Sequence, residues 1–480
     1  MSLSSSLFSG ISGLNTLGNA MTVIGDNIAN VNTVGFKNSR VTFQDVLSQT
    51  VATNSGTAQV GRGTSLAAIS SGFSQGSFET TDSSTDLAIG GDGFFVMRAP
   101  DNENDEYYSR AGQFGFDKDG YFVNPANYIA RGWELNENGE DTGSITDIQL
   151  SSFNSAPKET DKITVVANLD SGATNNSTTL EGAWDAQATT NIADTAYEYQ
   201  STVKVFDSLG DTHDITIYYD VGSGSTWEFL VTMPPSEDKR TGAVAALAAG
   251  DDGIGVLARG DIVFNTGNGQ ITDVNLDLFT FGTDFDLATG ANWTTQAEAT
   301  DLTNGHFTVA PDFLGSNPLT IEIDLGTSYS TTDSSWANDS PSTTQFALAS
   351  TTVFQSSNGY GAGDIQSITV STDGTITGQY SNGEVIPLYR VALAKFQNEQ
   401  GLFKVGGSLY RETRLSGDPI TNRPGVNGLG NLSPNSLEQS NVDLATEFVK
   451  MITTQRGFQA NSKIITVTDQ MLQELINLKR

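Results

Sequence analysis

Three short stretches of the chain contain residue types that could support chemistry. The first, Gly72–Gly76, reads Gly-Phe-Ser-Gln-Gly and matches the G-x-S-x-G pattern that presents a nucleophilic serine in hydrolases. That pattern needs a strand before it, a helix after it, and a histidine and an acid brought to the serine. The two histidines, His213 and His306, both lie in alternating strand-like patterns. Because Gly and Ser are abundant here, we interpret the match as coincidental.

The other two stretches resemble ligand-binding loops without completing them. Gly90–Gly93 is glycine-rich, but it lacks the Lys-Ser/Thr pair and the following helix of a phosphate-binding loop. Asp117–Gly120 begins like a calcium loop, yet Phe122 and Tyr128 stand where such a loop needs Gly and Glu. We therefore predict a protein that is not an enzyme, with no catalytic residue, no metal site and no cofactor.

Composition and charge narrow the class of protein further. The 480 residues carry a net charge of −32 and include no cysteine, which excludes disulfides and thiolate chemistry. An acidic surface repels phosphates and anionic lipid heads, so we expect neither nucleic acid as a partner nor insertion into a membrane. The first residues show neither a basic segment nor an apolar run, so we expect no cleaved secretory signal.

The elements that would position any site are helical at both ends of the chain. In the first 31 residues and from residue 444 onwards, apolar residues recur every seven residues, which predicts amphipathic helices with a seam of the coiled-coil type. We expect the two stripes to pack against each other, although each helix could instead pack on its own domain. Ser440 or Asn441 is the expected N-cap of the second helix.

The middle of the chain has the pattern of β-structure. Polar and apolar residues alternate in residues 201–221 and 227–233, which predicts strands joined by a turn at Asp207–Asp211. Asp119-Gly120, Asn138-Gly139, Asp373-Gly374 and Asn382-Gly383 are hairpin signals. Residues 171–195 and 326–350 are rich in Ser, Thr, Asn and Ala, so we predict loops or domain edges there.

One segment contains more polar side chains than the end of a helix usually needs. Residues 26–37 read DNIANVNTVGFK and place Asp26, Asn27, Asn30 and Asn32 at the end of the first helix. Such side chains can satisfy the unpaired backbone groups of a helix end, and Gly35 permits a left-handed turn. Four of them indicate a geometry that must be reproduced between packed copies of the chain.

Four segments together resemble the family of flagellar rod, hook and hook-associated proteins. They are DNIANVNTVGFK, residues 81–95, residues 108–124, and the C-terminal run that begins SLEQSNVDLATEFVKM. The central insertion of about two hundred residues favours the hook type within this family over the shorter rod type. The alternatives are a distal rod or hook-associated junction protein or, from another class, a secreted β-rich adhesin.

The resemblance implies a multidomain fold of mainly β outer domains with a helical coiled-coil domain formed by both termini. We expect a terminal helical domain, a linker, an inner β-domain and one or two outer β-domains. Their predicted ranges are 1–35 with 440–480, 36–72, 73–150 with 355–439, and 151–354.

The resemblance also implies a polymer of many copies that forms a curved tube outside the cell and passes torque from rod to filament. Its expected partners are rod, hook-cap and hook–filament junction proteins and the flagellar type III export machinery. The residues predicted to lie at subunit interfaces are Leu7, Leu14, Leu17, Met21, Ile24, Asn27, Ile28, Asn30, Asn32, Gly35, Phe36, Leu444, Phe448, Met451, Phe458, Ile465, Leu472 and Ile476.

Overall fold

The computed structural model describes residues 2–478, apart from residues 48, 54–55, 137, 151–152, 177, 281–284, 299 and 316. The described chain is mainly β-sheet and has a long helix near each end. It divides into two compact units, Met1–Phe153 with Ile365–Arg480 (unit 1) and Asn154–Asp364 (unit 2). None of the described helices combines the length and apolar character needed to cross a membrane.

Unit 1 contains both long helices and two groups of strands. The helices are α1 (Ser2–Ala29) and α4 (Leu444–Leu478). The N-terminal strands are β1 (Ser39–Asp45), β2 (Gln49–Thr53), β3 (Gly56–Val60), β4 (Thr64–Ser71), β5 (Phe78–Thr80), β6 (Leu87–Gly90), β7 (Phe94–Ala99), β8 (Asn102–Ser109), β9 (Gly115–Phe116), β10 (Phe122–Val123), β11 (Ile129–Leu135) and β12 (Asp141–Asp147). The C-terminal strands are β27 (Gly363–Val370), β28 (Thr375–Tyr380), β29 (Val385–Val391), β30 (Leu393–Lys395), β31 (Phe403–Gly406), β32 (Leu409–Arg411), β33 (Ile420–Asn422), β34 (Asn431–Pro434) and β35 (Ser436–Glu438).

N-terminal and C-terminal strands of unit 1 pair with each other in one antiparallel sheet. Its order is β27-β28-β29-β11-β7-β8-β32-β31, and the short strands β5 and β6 pair with β35 and β34. The sheet buries Phe95, Phe122 and Ile376 in one cluster and Phe94, Tyr108 and Tyr410 in another. Within the segment predicted as a linker, β1 pairs with β4. The predicted domain ranges stay a prediction.

The hairpin signals read from the sequence are confirmed in unit 1. Gly120, Gly139, Gly374 and Gly383 all have positive φ, between 74° and 90°, as tight turns require. They join β9 to β10, β11 to β12, β27 to β28 and β28 to β29. Turn chemistry is local, and a short sequence is therefore enough to predict it.

Unit 2 is built around two sheets. Its strands are β13 (Asn154–Ser155), β14 (Lys162–Asp170), β15 (Tyr199–Phe206), β16 (Thr212–Val221), β17 (Thr226–Thr232), β18 (Val256–Phe264), β19 (Ile271–Phe279), β20 (Trp293–Thr295), β21 (Phe307–Val309), β22 (Ile321–Asp324), β23 (Thr327–Ser330), β24 (Ser335–Asn338), β25 (Thr344–Phe346) and β26 (Thr351–Ser357). Two short helices, α2 (Leu180–Ala183) and α3 (Ala243–Ala249), accompany them.

The larger sheet of unit 2 follows the predicted alternation. Strands β15 to β20 form a six-stranded antiparallel meander in sequence order. Val203, Ile215 and Trp227 point into a shared core, while Thr202 and Asp214 on the same strands are exposed. The predicted strands and the turn at Asp207–Asp211 are therefore confirmed, because a half-buried strand must alternate.

The prediction of loops in residues 326–350 is wrong in part. Strands β23, β24 and β25 lie in this segment, and β23 pairs with β24 as a hairpin. Tyr329 stands directly opposite Trp336, and their rings meet edge to face with centroids 5.5 Å apart. One aromatic cross-strand pair stabilises the hairpin although its neighbours are Ser, Thr and Asp.

A row of carboxylates crosses the larger sheet of unit 2 and should make its stability depend on pH. Glu228 stands directly opposite Asp220 on one neighbouring strand and Asp261 on the other. Burial, together with nearby Glu181, Asp261 and Asp220, raises the pKa of Glu228 to about 7. The folded protein therefore binds the Glu228 proton more tightly than the unfolded chain does. The stability that the protonated Glu228 gives the fold is fully present below pH 4.5 and is lost as the pH rises through about 7.

Glu228→Gln should therefore raise the free energy of unfolding of unit 2 at pH 8 by about 1–2 kcal/mol and change it little at pH 4. The measurement is urea unfolding followed by tryptophan fluorescence at both pH values. Four of the five tryptophans lie in unit 2. Asp214→Asn removes an exposed carboxylate from the same sheet and is the control. An equal effect of Glu228→Gln at both pH values would contradict the assignment.

Candidate functional site

The two long helices of unit 1 pack side by side and run in opposite directions. Near the C-terminal end of α1, the Asn27 Nδ2 atom donates to Glu447 Oε2 at 3.3 Å, near the start of α4. Further along the pair, Leu17 packs against Gly457, and Gly10 lies against Ile465. The expectation that the terminal helices meet each other is therefore confirmed. α1 ends at Ala29, two residues before its predicted end.

Small residues bring the helices close together. A Cβ atom added to Gly10 would lie 3.1 Å from Ile465 Cγ1, and one added to Gly13 would lie 2.9 Å from Asn461 Oδ1. On α4, a Cβ at Gly457 would lie 3.2 Å from Leu17 Cδ1. Glycine in a helix interior costs about 1 kcal/mol relative to alanine. Close approach of the backbones explains why glycine occupies these positions.

The contact face between the helices is partly polar. Thr16 and Asn27 on α1, and Glu447 and Thr468 on α4, are all buried. Thr16 and Thr468 donate their hydroxyl hydrogen bonds to carbonyls of their own helix, at 3.0 Å and 2.8 Å. The two buried hydroxyl groups are therefore satisfied within their own helices. The Asn27–Glu447 hydrogen bond and the glycine contacts fix the register of the pair.

The apolar residues of α4 mostly point away from α1. Phe448, Ile452 and Phe458 are 48%, 49% and 45% exposed. Other large apolar side chains of α4 that are exposed are Leu444, Val449, Ile464, Val467, Met471, Leu472 and Ile476. The prediction that the heptad stripe of α4 is buried against α1 is therefore wrong for most of its members. In the described chain, α4 presents a long apolar face with no covering element.

The predicted interface residues divide into three groups in the structure. Within α1 and the segment after it, Ile24, Asn27 and Gly35 are buried, Asn32 is exposed, and the others are half-buried, namely Leu7, Leu14, Leu17, Met21, Ile28, Asn30 and Phe36. On α4, Met451 and Ile465 are half-buried, and Ile465 lies against Gly10 of α1. Exposed on α4 are Leu444, Phe448, Phe458, Leu472 and Ile476. Their role between subunits stays a prediction.

The polar segment after α1 has roles within the chain. Asn27 Oδ1 accepts from Ser39 N at 2.9 Å, and Asn27 Nδ2 donates to Ser39 O at 2.9 Å, so one side chain ties the helix to β1. Asn30 Nδ2 donates to Asp26 O at 2.9 Å, a carbonyl of the last helical turn that also accepts from Asn30 N. Three of the four polar residues, Asp26 among them, therefore take part in building the helix end.

Gly35 lets this segment approach the β-sheet. Its φ is 66°, and a Cβ atom there would lie 2.5 Å from Ala111 N. Its amide donates to Glu438 O on β35 at 2.8 Å. Any other residue would combine a strained backbone with a steric clash. The prediction of a left-handed glycine is confirmed.

Asn441 joins the C-terminal segment to the same place, which corrects its predicted role as a helix cap. Its Oδ1 accepts from Asn38 N at 2.8 Å, and its Nδ2 donates to Gly72 O at 2.7 Å. The N-cap of α4 is Asp443, whose Oδ1 accepts from Thr446 N at 3.1 Å. Local sequence offers several possible caps, and here tertiary hydrogen bonds decide among them.

The motifs that could have supported chemistry have structural roles. Phe73 packs edge to face on Phe94, and the Ser74 Oγ atom accepts from Asn441 Nδ2 at 3.0 Å. Asp117 Oδ1 accepts from the amides of Asp119 and Tyr121, which closes the turn. Over the described residues, no group of three or more His, Cys, Asp or Glu side chains could hold a metal ion.

Comparison with protein families gives four matches in chain order. Residues 7–37 match the model described as flagella basal body rod protein, and residues 88–170 match the flagellar hook protein FlgE/F/G D1 domain. Residues 168–360 match the flagellar basal body protein FlaE D2 domain. Residues 433–478 match the C-terminal region of the flagellar basal body rod FlgEFG proteins.

Similarity to individual proteins extends over the full length. The flagellar hook protein FlgE of Borreliella burgdorferi is 34% identical over 493 residues, which cover 99% of each chain. The chain belongs to the FlgE family of flagellar hook proteins. The FlgE of Treponema pallidum is 33% identical with 99% of each chain covered, and that of Escherichia coli is 28% identical with 98% covered.

Membership of the FlgE family agrees with the absence of a completed catalytic motif in the sequence, because this family is structural and not enzymatic. The distal-rod and adhesin alternatives are not favoured, since full-length relatives carry the FlgE name. The matches at residues 7–37 and 433–478 span α1 with the polar segment after it, and α4 with β34 and β35. The elements that form the helix pair and its attachment to the sheet are therefore the terminal regions that the FlgE family shares with rod proteins.

Proposed function

We propose that this protein is the structural subunit of the flagellar hook and that it polymerises through its helix pair. The observation that carries this proposal is the uncovered apolar face of α4. Ten large apolar side chains of one helix are exposed, whereas the partner helix covers a face rich in Gly, Thr and Asn. Exposed large apolar side chains concentrated in this way on one helix mark an interaction site.

In the polymer, α4 of one copy packs against the helices of its neighbours as a coiled coil. The seven-residue spacing of Leu444, Met451, Phe458, Ile465 and Leu472 supports this arrangement. Within one chain, α1 covers only part of this row, because it contacts Ile465 while Leu444, Phe458 and Leu472 stay exposed. Many copies arranged in this way form an inner helical layer around a channel, and the β-sheets lie outside this layer.

The tube built from these subunits acts as a flexible joint between rod and filament. Its subunits leave the cell through the flagellar export channel and contact rod, cap and junction proteins. The family membership and the similarity to full-length hook proteins support this location and these partners.

Charge predicts how polymerisation responds to salt. Unit 2 carries 29 acidic and six basic residues, whereas residues 431–480 carry five of each. Packing many copies brings the acidic units together, and the repulsion between them is screened over about 10 Å at 0.1 M salt and about 3 Å at 1 M. Sulfate also strengthens apolar contact. We expect assembly of purified protein to be slow at low ionic strength and accelerated by ammonium sulfate.

Light scattering across a salt series measures this response, and electron microscopy shows whether the particles are short tubes. Sodium chloride at matched ionic strength separates screening from the stronger apolar contact that sulfate adds. Tubes at any salt support the proposed function. Assembly that weakens steadily as salt rises would contradict the charge argument, and protein that stays monomeric under all conditions would contradict polymerisation itself.

A further inference from the structure

A buried group of three charged side chains lies where both ends of the chain meet the sheet of unit 1. Lys37 follows the polar segment after α1, Glu438 ends β35 before α4, and Arg110 follows β8. The side chains of Lys37 and Glu438 are fully buried, and that of Arg110 is 2% exposed. Charged side chains are almost never buried to this degree unless they are paired.

The carboxylate of Glu438 accepts hydrogen bonds from Lys37 and Gly76 and lies close to Arg110. Its Oε1 accepts from Lys37 Nζ at 2.7 Å and from Gly76 N at 2.7 Å. Its Oε2 lies 3.5 Å from Arg110 Nη1. In the part of the chain that the structure describes, Glu438 is the only carboxylate in ion-pair contact with either cation. Glu438 therefore pairs with both buried cations, and Glu399 also attracts both of them without an ion-pair contact.

The remaining contacts hold both cations in place without supplying negative charge. Lys37 Nζ also donates to Ser74 O at 2.8 Å, and Arg110 Nη1 donates to Gly91 O at 2.8 Å. The guanidinium of Arg110 lies over the ring of Phe94, with 5.2 Å between its Cζ atom and the ring centroid. Burial lowers the pKa of Lys37, although Glu438 opposes this effect. Glu438 is therefore the only carboxylate of the described chain in ion-pair contact with these cations, and Glu399 is a more distant second source of negative charge.

We propose that Lys37, Glu438 and Arg110 form a latch that makes docking of the two chain ends onto the sheet mutually dependent. When the segment that carries Glu438 leaves, two buried cations lose the carboxylate that contacts them, a state that is strongly disfavoured. Lys37 must then move to water, and the segment between α1 and β1 moves with it. Coupling of this kind is reciprocal, so release of Lys37 also loosens the segment around Glu438.

The latch explains how the two terminal helices keep one register although Lys37 and Glu438 are 401 positions apart in the sequence. In a subunit whose Lys37 segment or Glu438 segment has left the sheet, the other segment is not held on the sheet either. The helix pair is therefore presented for contact only when both ends are in place.

Limited trypsin digestion of the full-length protein tests the latch directly, because Lys37 is itself a cleavage site that is buried in the closed state. Cleavage of a transiently opened segment follows the population of the open form. Glu438→Gln should raise the cleavage rate after Lys37 by at least about tenfold. Lys118, whose side chain is 88% exposed in the same unit, is the internal reference and should change little.

Glu384→Gln is the matched control, since Glu384 is an exposed carboxylate between β28 and β29 of the same unit. In the reciprocal experiment, Lys37→Met should accelerate amide hydrogen exchange in residues 436–441 and leave exchange in the core strand β7 unchanged. Glu438→Asp, which keeps the charge but shortens the side chain, should have an intermediate effect on cleavage after Lys37.

Unchanged protection of Lys37 in Glu438→Gln would overturn the proposal. Equal rates of amide hydrogen exchange in β7 and in the segment at Lys37, in both Glu438→Gln and Glu438→Asp, would also overturn it. The cluster would then stabilise the whole unit and would not couple its two ends. Greater opening at both ends with a protected β7 supports it.

Discussion

Phe458→Asp should abolish formation of tubes by the purified protein and swimming of cells that carry only this variant. Phe458 is 45% exposed on α4, so a carboxylate there remains hydrated in the monomer and should change its melting temperature little. In a polymer that covers the apolar face, the same carboxylate would be buried without a partner at a cost of about 3–5 kcal/mol for each subunit. Because every copy carries the change, this cost recurs at every contact of the tube.

Two variants separate the loss of apolar contact from the addition of charge. Phe458→Leu keeps an apolar side chain and should still assemble. Leu415→Asp places the same charge at an apolar residue that is 76% exposed in the β-part of unit 1, away from the helices in the sequence, and should also assemble. Normal swimming of the Phe458→Asp strain would show that Phe458 faces water in the finished structure.

The sequence predicted the helices and much of the sheet because these depend on local periodicity. The repeat of apolar residues at seven positions required a helix at each end, and the alternation around Val203, Ile215 and Trp227 required strands. Asp-Gly and Asn-Gly pairs predicted turns for the same local reason. Each of these signals lies within about ten residues of the chain.

The face that α4 turns toward α1 could not be predicted in this way. A heptad row shows which residues share a face, but it does not show whether the covering helix belongs to the same chain. The signal that would have helped is the spacing of small residues, since Gly10, Gly13 and Gly457 mark the closest approach of the two helices. In sequence these glycines resemble helix-weakening positions.

The buried charges were missed for a related reason. A single lysine after a helix and a single glutamate before another are read as solvated ends, which is the usual role of such residues. Only the tertiary fold brings Lys37 and Glu438 together across 401 positions. Similarly, Asn441 was expected to cap α4, but it bonds to Asn38 and Gly72, which lie far from it in sequence.

Removal of either terminal helix should leave a folded protein that cannot polymerise. The two apolar clusters of unit 1 contain no residue of α1 or α4 among the described residues, so deleting residues 2–29 or residues 444–480 takes nothing from these cores. Both deletions keep Lys37, Glu438 and Asn441, and the ends of the sheet therefore stay closed. We expect each truncated protein to remain monomeric at every salt concentration that assembles the full-length chain.

The truncations act on different parts of the proposed contact. Loss of α4 removes the apolar face itself, whereas loss of α1 removes the helix that holds α4 in register through Asn27, Gly13 and Leu17. A helix without its partner depends on packing that is no longer present, so α4 should lose helicity when α1 is absent. Circular dichroism should show this loss, and thermal unfolding of the β-sheets should stay within a few degrees of the full-length protein because their cores are intact. Tubes formed by either truncated protein would show that the β-sheets alone drive polymerisation. Unfolding of the sheets in a truncated protein would show that the helices belong to the core.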